Sequence, residues 1–282
     1  MEFKTFTDPV LFFEKVRGFL EVREAENNLI LGIINNEISN KGNEKDSKAL
    51  MAFVEGNCKP MLVMITRSKN QLVISGENTI DNNAIGVAIA GFISLNIFLS
   101  GVVGKPELSS EFAKEWGLQN NCSQLIIKNQ YIYILDQVNE INLSPGILRN
   151  ATEKDVLLIS EWIKAFFLET GVTINGETAL IKAQRAVEDQ SLFLWENSTP
   201  VSMAKIVRNS KNGSVISYVY TPFKWRRKGY AIACVASLSQ FVLDQGKFFC
   251  SLYADRDNTT SNQIYQKIGY KFLEESCSYQ FK

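Results

Sequence analysis

The segment Ser217–Ala233, SYVYTPFKWRRKGYAIA, decides the fold. It begins as an apolar strand, passes through a loop holding Arg226, Arg227, Lys228 and Gly229, and runs directly into an apolar helix. Amide groups in a first helical turn have no partner within the helix, and the macrodipole adds about half a positive charge there. Gly229 lets a ligand come close to the backbone, and three adjacent cations add Coulomb attraction, so the segment has the makings of an anion site. Taken alone, the same run also describes a solvated basic turn that caps a helix.

Working outward, Phe248–Ala254 reads as a strand, Thr260–Ile268 as a helix, and Tyr270 onward as a final strand. Upstream, apolar runs at Ser191–Trp195, Met203–Val207 and Val215–Thr221 alternate with turn-rich Glu196–Pro200 and Asn209–Gly213, the pattern of an antiparallel meander. Before them, Thr152 and Asp155 resemble a capping box, and Val156, Ile159, Ile163, Phe166 and Phe167 recur at helical spacing. A second helix is expected over Glu177–Glu188, and LRNAT (148–152) reads as a short strand ahead of the first. The predicted order is strand, two helices, three strands, helix, strand, helix, strand, an α/β arrangement on a mixed sheet.

Two motifs lie in this frame. Arg226-x-x-Gly229-x-Ala231 resembles the Arg/Gln-x-x-Gly-x-Gly/Ala signature of the GNAT superfamily of acyltransferases. The later segment LYADRDNTTSNQIYQKIGYKF (252–272) carries Asn258, a small residue (Ser261) three on, Tyr265 seven on, and the triplet Ile268-Gly269-Tyr270, which resembles the second half of the same family's CoA site. The resemblance covers residues 147–282 and implies a GNAT-like domain that uses acetyl-CoA or another acyl-CoA. It implies that the loop of Arg226, Arg227, Lys228, Gly229, Tyr230 and Ala231 binds the pyrophosphate, and that Asn258, Ser261 and Asn262 belong to the second half of the site. It further implies that Tyr218, Val219 and Tyr220 pair through their backbones with the acyl-pantetheine in the manner of an added strand. Tyr265, which by itself reads as an aromatic of an amphipathic helix, becomes the general acid for the departing thiolate.

The implied activity is N-acyl transfer, N-acetyl transfer foremost, to a small-molecule or peptide amine, with no metal. Glu196 and Asp255 are candidate bases only by their positions near strand ends, and a water chain serves equally. A non-catalytic acyl-CoA sensor or scaffold is the competing reading, as is an acyltransferase for a hydroxyl or amino-acid acceptor.

The first half of the chain repeats this plan. AIGVAIAGFISLN (84–96) resembles AIACVASLSQFVL (231–243), and SSEFAKEWG (109–117) resembles SNQIYQKIG (261–269), which predicts two similar folds in tandem. The breaker Ser144-Pro145-Gly146 places the boundary between domains 1–141 and 147–282. Opposite the basic loop stands Thr79-Ile80-Asp81-Asn82-Asn83-Ala84, and opposite Tyr265 stands Ala113. The first domain is therefore expected to be a degenerate copy with a structural or substrate-positioning role.

Bulk composition narrows the chemistry. The 282 residues include no histidine, so Ser-His-Asp and Cys-His catalysis and His-ligated zinc or iron sites are excluded in their usual forms. Thirty basic and thirty acidic residues cancel, which leaves no general field favouring nucleic acid or an anionic membrane. The five cysteines are odd in number, widely spaced and lack a CxxC pair, against a disulfide framework. Asp8, Pro9 and Glu14 interrupt the apolar residues near the start, so no signal peptide is expected and the chain reads as cytoplasmic. The uncharged stretch Ala84–Val103 is long enough for a bilayer, but Asn96 and its glycines and serines favour a buried helix followed by a buried strand.

Overall fold

The computed structural model describes residues 1–39, 49–67, 70–77 and 79–282. The chain runs β1 (Glu2–Phe6), α1 (Pro9–Glu21), α2 (Asn28–Ser39), β2 (Met51–Gly56), β3 (Lys59–Arg67), β4 (Gln71–Gly76), α3 (Asn82–Ser94), β5 (Gly101–Gly104), α4 (Pro106–Asn120) and β6 (Gln124–Leu135). It continues with β7 (Ile147–Asn150), α5 (Val156–Glu169), α6 (Gly176–Glu188), β8 (Leu192–Asn197), β9 (Thr199–Asn209), β10 (Gly213–Tyr220), α7 (Tyr230–Asp244), β11 (Phe249–Asp255), α8 (Thr259–Ile268) and β12 (Lys271–Phe281). The second series repeats the first element for element, as the paired segments predicted. The Thr152–Asp155 capping box is formed, and no described helix is long and apolar enough to cross a membrane.

The chain divides into two compact units, Met1–Ile132 with Leu273–Lys282, and Tyr133–Phe272. This division differs from the single cut expected between residues 141 and 147. The first unit is completed from the far end of the chain: β12 pairs antiparallel with β5, Cys277 opposite Gly104 and Gln280 opposite Gly101. A side chain at Gly101 would place its Cβ 2.1 Å from the Tyr279 carbonyl, so glycine is what admits this strand. In the second unit, β10 and β11 are parallel neighbours, and Tyr133–Leu135 of β6 lies next to β11. The expected linker belongs to this unit, because Asn139 N–H donates to Ile268 O at 2.8 Å and Trp195 Nε1 donates to Pro145 O at 3.2 Å.

Helices cover both faces of each unit's sheet, which explains why several strands read as unbroken apolar runs. In the first unit Ala52, Val54, Leu62 and Met64 pack with Ile85, Phe92 and Trp116 of α3 and α4. Their neighbours Phe53, Val63 and Ile65 pack with Phe12, Leu20 and Ile34 of α1 and α2. Burying each such large side chain contributes about 1.5–3 kcal/mol. In the second unit Leu192, Leu194 and Met203 meet Ile159, Trp162 and Ile163 of α5, while Phe193, pointing the other way, meets Phe241 of α7 at 5.2 Å.

Candidate active site

The second unit's site is built where β10 parts from β11. Their parallel pairing covers only Gly213–Val215 against Phe249–Ser251, although β10 runs on to Tyr220 and β11 to Asp255. On its other side β10 slips register against β9 between Val215 and Ile216 and again between Ser217 and Tyr220, and Tyr218 takes a φ of 54°. Such bulges bend the bulged strand locally. Beyond Val215, the β10 edge facing β11 is therefore open, and Tyr218, Val219 and Tyr220 lie on it. Their rings are fixed from α5: Tyr218 stacks on Phe166 at 5.2 Å, and Tyr220 lies 6.1 Å from Trp162. Burial raises the pKa of both tyrosines.

After Pro222 the chain makes a short 3-10 turn, Phe223–Trp225, and then the basic loop. Gly229 is the N-cap residue of α7 with φ 76°, and among the described residues no side chain caps that helix. The amides of its first turn thus face outward without a side-chain acceptor, as an anion site requires. Ser144 Oγ donates to the Lys228 carbonyl at 2.6 Å and holds the loop from below. Tyr230 is buried, accepts a 3.0 Å hydrogen bond from Asn197 Nδ2, and meets Trp225 at 6.2 Å. Arg227 and Lys228 are exposed, the Lys228 ammonium 4.8 Å from the Trp225 ring centre, and Ala231 is half-buried in the first turn.

The Arg226 side chain is engaged within the fold. Its Nε donates to Thr221 O at 2.8 Å, its Nη2 pairs with Glu169, and its guanidinium lies 5.8 Å from the Tyr220 ring centre. The side chain therefore ties the loop to β10 and α5, leaving Arg227 and Lys228 as exposed cations beside the outward-facing backbone amides.

The second motif is also partly occupied with building the fold. Asn258 is the N-cap of α8, and its Oδ1 accepts from Ser261 N at 3.0 Å. Asn262 is buried, donates through Nδ2 to the carbonyls of Asp255 and Arg256 at 3.2 Å each, and has no hydrogen-bond partner at Oδ1 among the described residues. Tyr265 lies one turn further on, packed between Tyr133 at 6.3 Å and Tyr270 at 6.0 Å. Burial pushes its phenol up to about 12, so the hydroxyl is neutral and able to donate throughout the physiological range.

Neither candidate base stands free. Glu196 is paired with Arg149, which also holds Asp155 at 2.8 Å, and Asp255 is exposed and accepts from the Asp257 amide at 2.9 Å. The buried thiols of Cys234 and Cys250 are pushed up to about 12, which keeps them protonated and unreactive.

The first unit closes the equivalent place. Asp81 caps α3 and accepts from Asn83 N at 2.9 Å and Ala84 N at 3.2 Å, so its own carboxylate occupies the amides that face outward at α7. Arg23 donates to the Gly76 carbonyl at the end of β4 at 2.6 Å. The remaining cavity, lined by Leu62, Gly76, Asp81 and Leu108 among others, has about 10 Å³, room for a single water. Asp81 was visible in the sequence only as an acid opposite Lys228; the part played by Arg23 had no sequence signal.

Comparison with known proteins agrees with this architecture. Residues 194–279 match the family model described as FR47-like protein. Among solved structures, an acetyltransferase of the GNAT family from Colwellia psychrerythraea matches with a TM-score of 0.61 at 9% identity, covering 100% of both chains. A GCN5-related N-acetyltransferase from Sphaerobacter thermophilus matches with a TM-score of 0.64 at 14% identity, over 99% of this chain and 95% of its own. A tandem GNAT protein from the clavulanic acid biosynthesis pathway matches with a TM-score of 0.57 at 8% identity, over 99% and 98%. No curated protein matches the chain at a significant level. The chain is a two-domain protein of GNAT fold, and the resemblance read from its two motifs holds at that level.

Proposed function

We propose that the second unit binds acyl-CoA, acetyl-CoA foremost, and transfers the acyl group directly to an amine. The observation that carries this reading is the contrast between the two units. An uncapped helix start beside a parted strand pair occurs at Gly229, whereas Asp81 and Arg23 fill the matching place in the first unit. In this reading the amides following Gly229, with Arg227 and Lys228, hold the pyrophosphate, and the open edge of β10 at Tyr218–Tyr220 receives the pantetheine. The first unit then serves as a structural or substrate-positioning domain.

The amine nitrogen attacks the thioester carbonyl, the C–N bond forms and the C–S bond breaks. The nitrogen's proton leaves to water, and the sulfur gains one. Full proton transfer from a phenol near 12 to a thiolate of ordinary basicity, near 8.5, is uphill by roughly 5 kcal/mol. Tyr265 therefore works best as a hydrogen-bond donor to the charge developing on sulfur, with solvent completing the protonation. With Glu196 paired to Arg149 and Asp255 out in solvent at the end of β11, water is the acceptor for the amine proton in this reading.

Thermal unfolding of the full chain tests the binding step. Acetyl-CoA at 100 times its dissociation constant should stabilise by about 2.7 kcal/mol, and Gly229→Glu should abolish the shift. Free-thiol release on adding pooled amines then separates an enzyme from a sensor. No shift with the wild-type chain refutes the reading.

A further inference from the structure

Lys205 stands in β9 on the sheet face covered by α5 and α6. Its register partner in β8 is Leu192, packed among the α5 side chains, and its partner in β10 is Ser217. The ammonium lies 5.7 Å from the centre of the Tyr218 ring. That ring stacks on Phe166, with Phe167 edge-on at 5.5 Å, and the Lys182 ammonium of α6 lies 5.7 Å from the centre of Phe167. Three packed rings thus carry two cations, and neither cation forms an ion pair among the described residues.

Burial lowers the Lys205 pKa; Asp189 offsets part of that, and the like charge of Lys182 adds to it. Two half-buried cations that repel one another are unfavourable in the free protein and become favourable when an anion enters. Their location matters as much as their charge. Tyr218 sits in the register shift of β10 against β9, beyond Val215 where the pairing with β11 has ended, and α7 covers the opposite face of this sheet. A donor whose phosphates lie at the start of α7 reaches β10 from the α7 face, which leaves the α5–α6 face for the acceptor.

We propose that this face is the acceptor subsite, and that the acceptor is an amine which also bears a carboxylate, held by Lys205 with Lys182 while the aromatic rings cover its carbon skeleton. The proposal rests on the acyltransferase reading for the reaction, but the anion subsite itself does not. The neutral amino group of the acceptor, directed at the Tyr218 bulge, attacks the thioester carbonyl. An amide bond forms, the C–S bond breaks, and the carboxylate is unchanged.

The test uses the full chain with acetyl-CoA and the proteinogenic amino acids, each beside its primary carboxamide. Charge-assisted hydrogen bonds of this kind correspond to about ten- to a hundredfold in affinity. The best acid should therefore exceed its amide in kcat/KM by that factor, chiefly through KM. Lys205→Met should reduce the preference at least tenfold, with CoA affinity serving as the check on folding. Equal use of acid and amide, or an unchanged preference in Lys205→Met, overturns the proposal. A second measurement does not depend on turnover: calorimetric titration of CoA-loaded protein with N-acetyl amino acids and their amides. Binding of the acids alone, lost in Lys205→Met, supports the subsite even if no amine is acylated, in which case only the acyltransferase reading falls. Absence of binding together with absence of turnover of acidic acceptors refutes the subsite.

Discussion

Replacing Gly229 by alanine probes whether the loop is built as described. The φ of 76° is a left-handed conformation that costs a residue with a Cβ about 1–2 kcal/mol. The new Cβ would also lie 2.4 Å from Ser144 Oγ, which must move and give up its 2.6 Å hydrogen bond to the Lys228 carbonyl, a loss of about 1 kcal/mol. The two terms sum to about 2–3 kcal/mol, less than the roughly 5–15 kcal/mol that holds a typical domain together, so the variant stays folded. In a Ser144→Ala background the second term vanishes, and Gly229→Ala should then cost only about 1–2 kcal/mol. The assay is native-state hydrogen exchange of the slowest amides in α7, which reports the opening free energy of the second unit, across the four members of the cycle. Equal costs in both backgrounds, within about 0.3 kcal/mol, would refute the placement of Ser144 beneath Gly229.

Three further outcomes are expected. Tyr265→Phe should lower kcat about ten- to a hundredfold with little change in CoA affinity, and equal turnover would remove the hydroxyl from the mechanism. Because burial raises that phenol to about 12, the rate contribution of Tyr265 is fully present at neutral pH and is lost only as pH rises toward that value. A pH profile that loses the wild-type to Tyr265→Phe difference below about pH 9 would contradict it. Asp155 is lowered from 3.8 to about 2, first by its hydrogen bonds from Arg149, so it contributes stability above about pH 4 that fades as pH falls toward 2. Asp155→Asn should remove about 2 kcal/mol near neutral pH, measured by denaturant unfolding, and much less near pH 2. Ending the chain at Phe272 would strip β5 of its antiparallel partner and take Phe281 from its stack on Trp116, 5.9 Å between centres. Amide protection in β5 should then collapse, and its persistence would show that β12 is dispensable to the first unit.

The order of elements was legible in the sequence because it depends on local patterns. The capping box at Thr152, the helical spacing from Val156 to Phe167 and the meander between Ser191 and Thr221 each act within a few turns or one hairpin. The basic loop was legible for the same reason: a glycine and adjacent cations between an apolar strand and an apolar helix fix a local conformation and charge. The different character of that segment in the first half was equally visible, with Thr79 opposite Arg226 and Asp81 opposite Lys228. Tertiary structure alone decided which strand completes which unit. Apolar runs are interchangeable as ladder partners, so nothing local to Lys271–Phe281 says that it pairs with β5, some 170 residues away. Side-chain assignments at the site were decided the same way. Arg226 turns to Glu169, Glu196 to Arg149 and Asn258 to its own helix, whereas Lys182 and Lys205 form no ion pair among the described residues. A charge in a sequence declares its sign, but whether it is spent within the fold or left for a ligand depends on neighbours that only folding brings within a few ångströms.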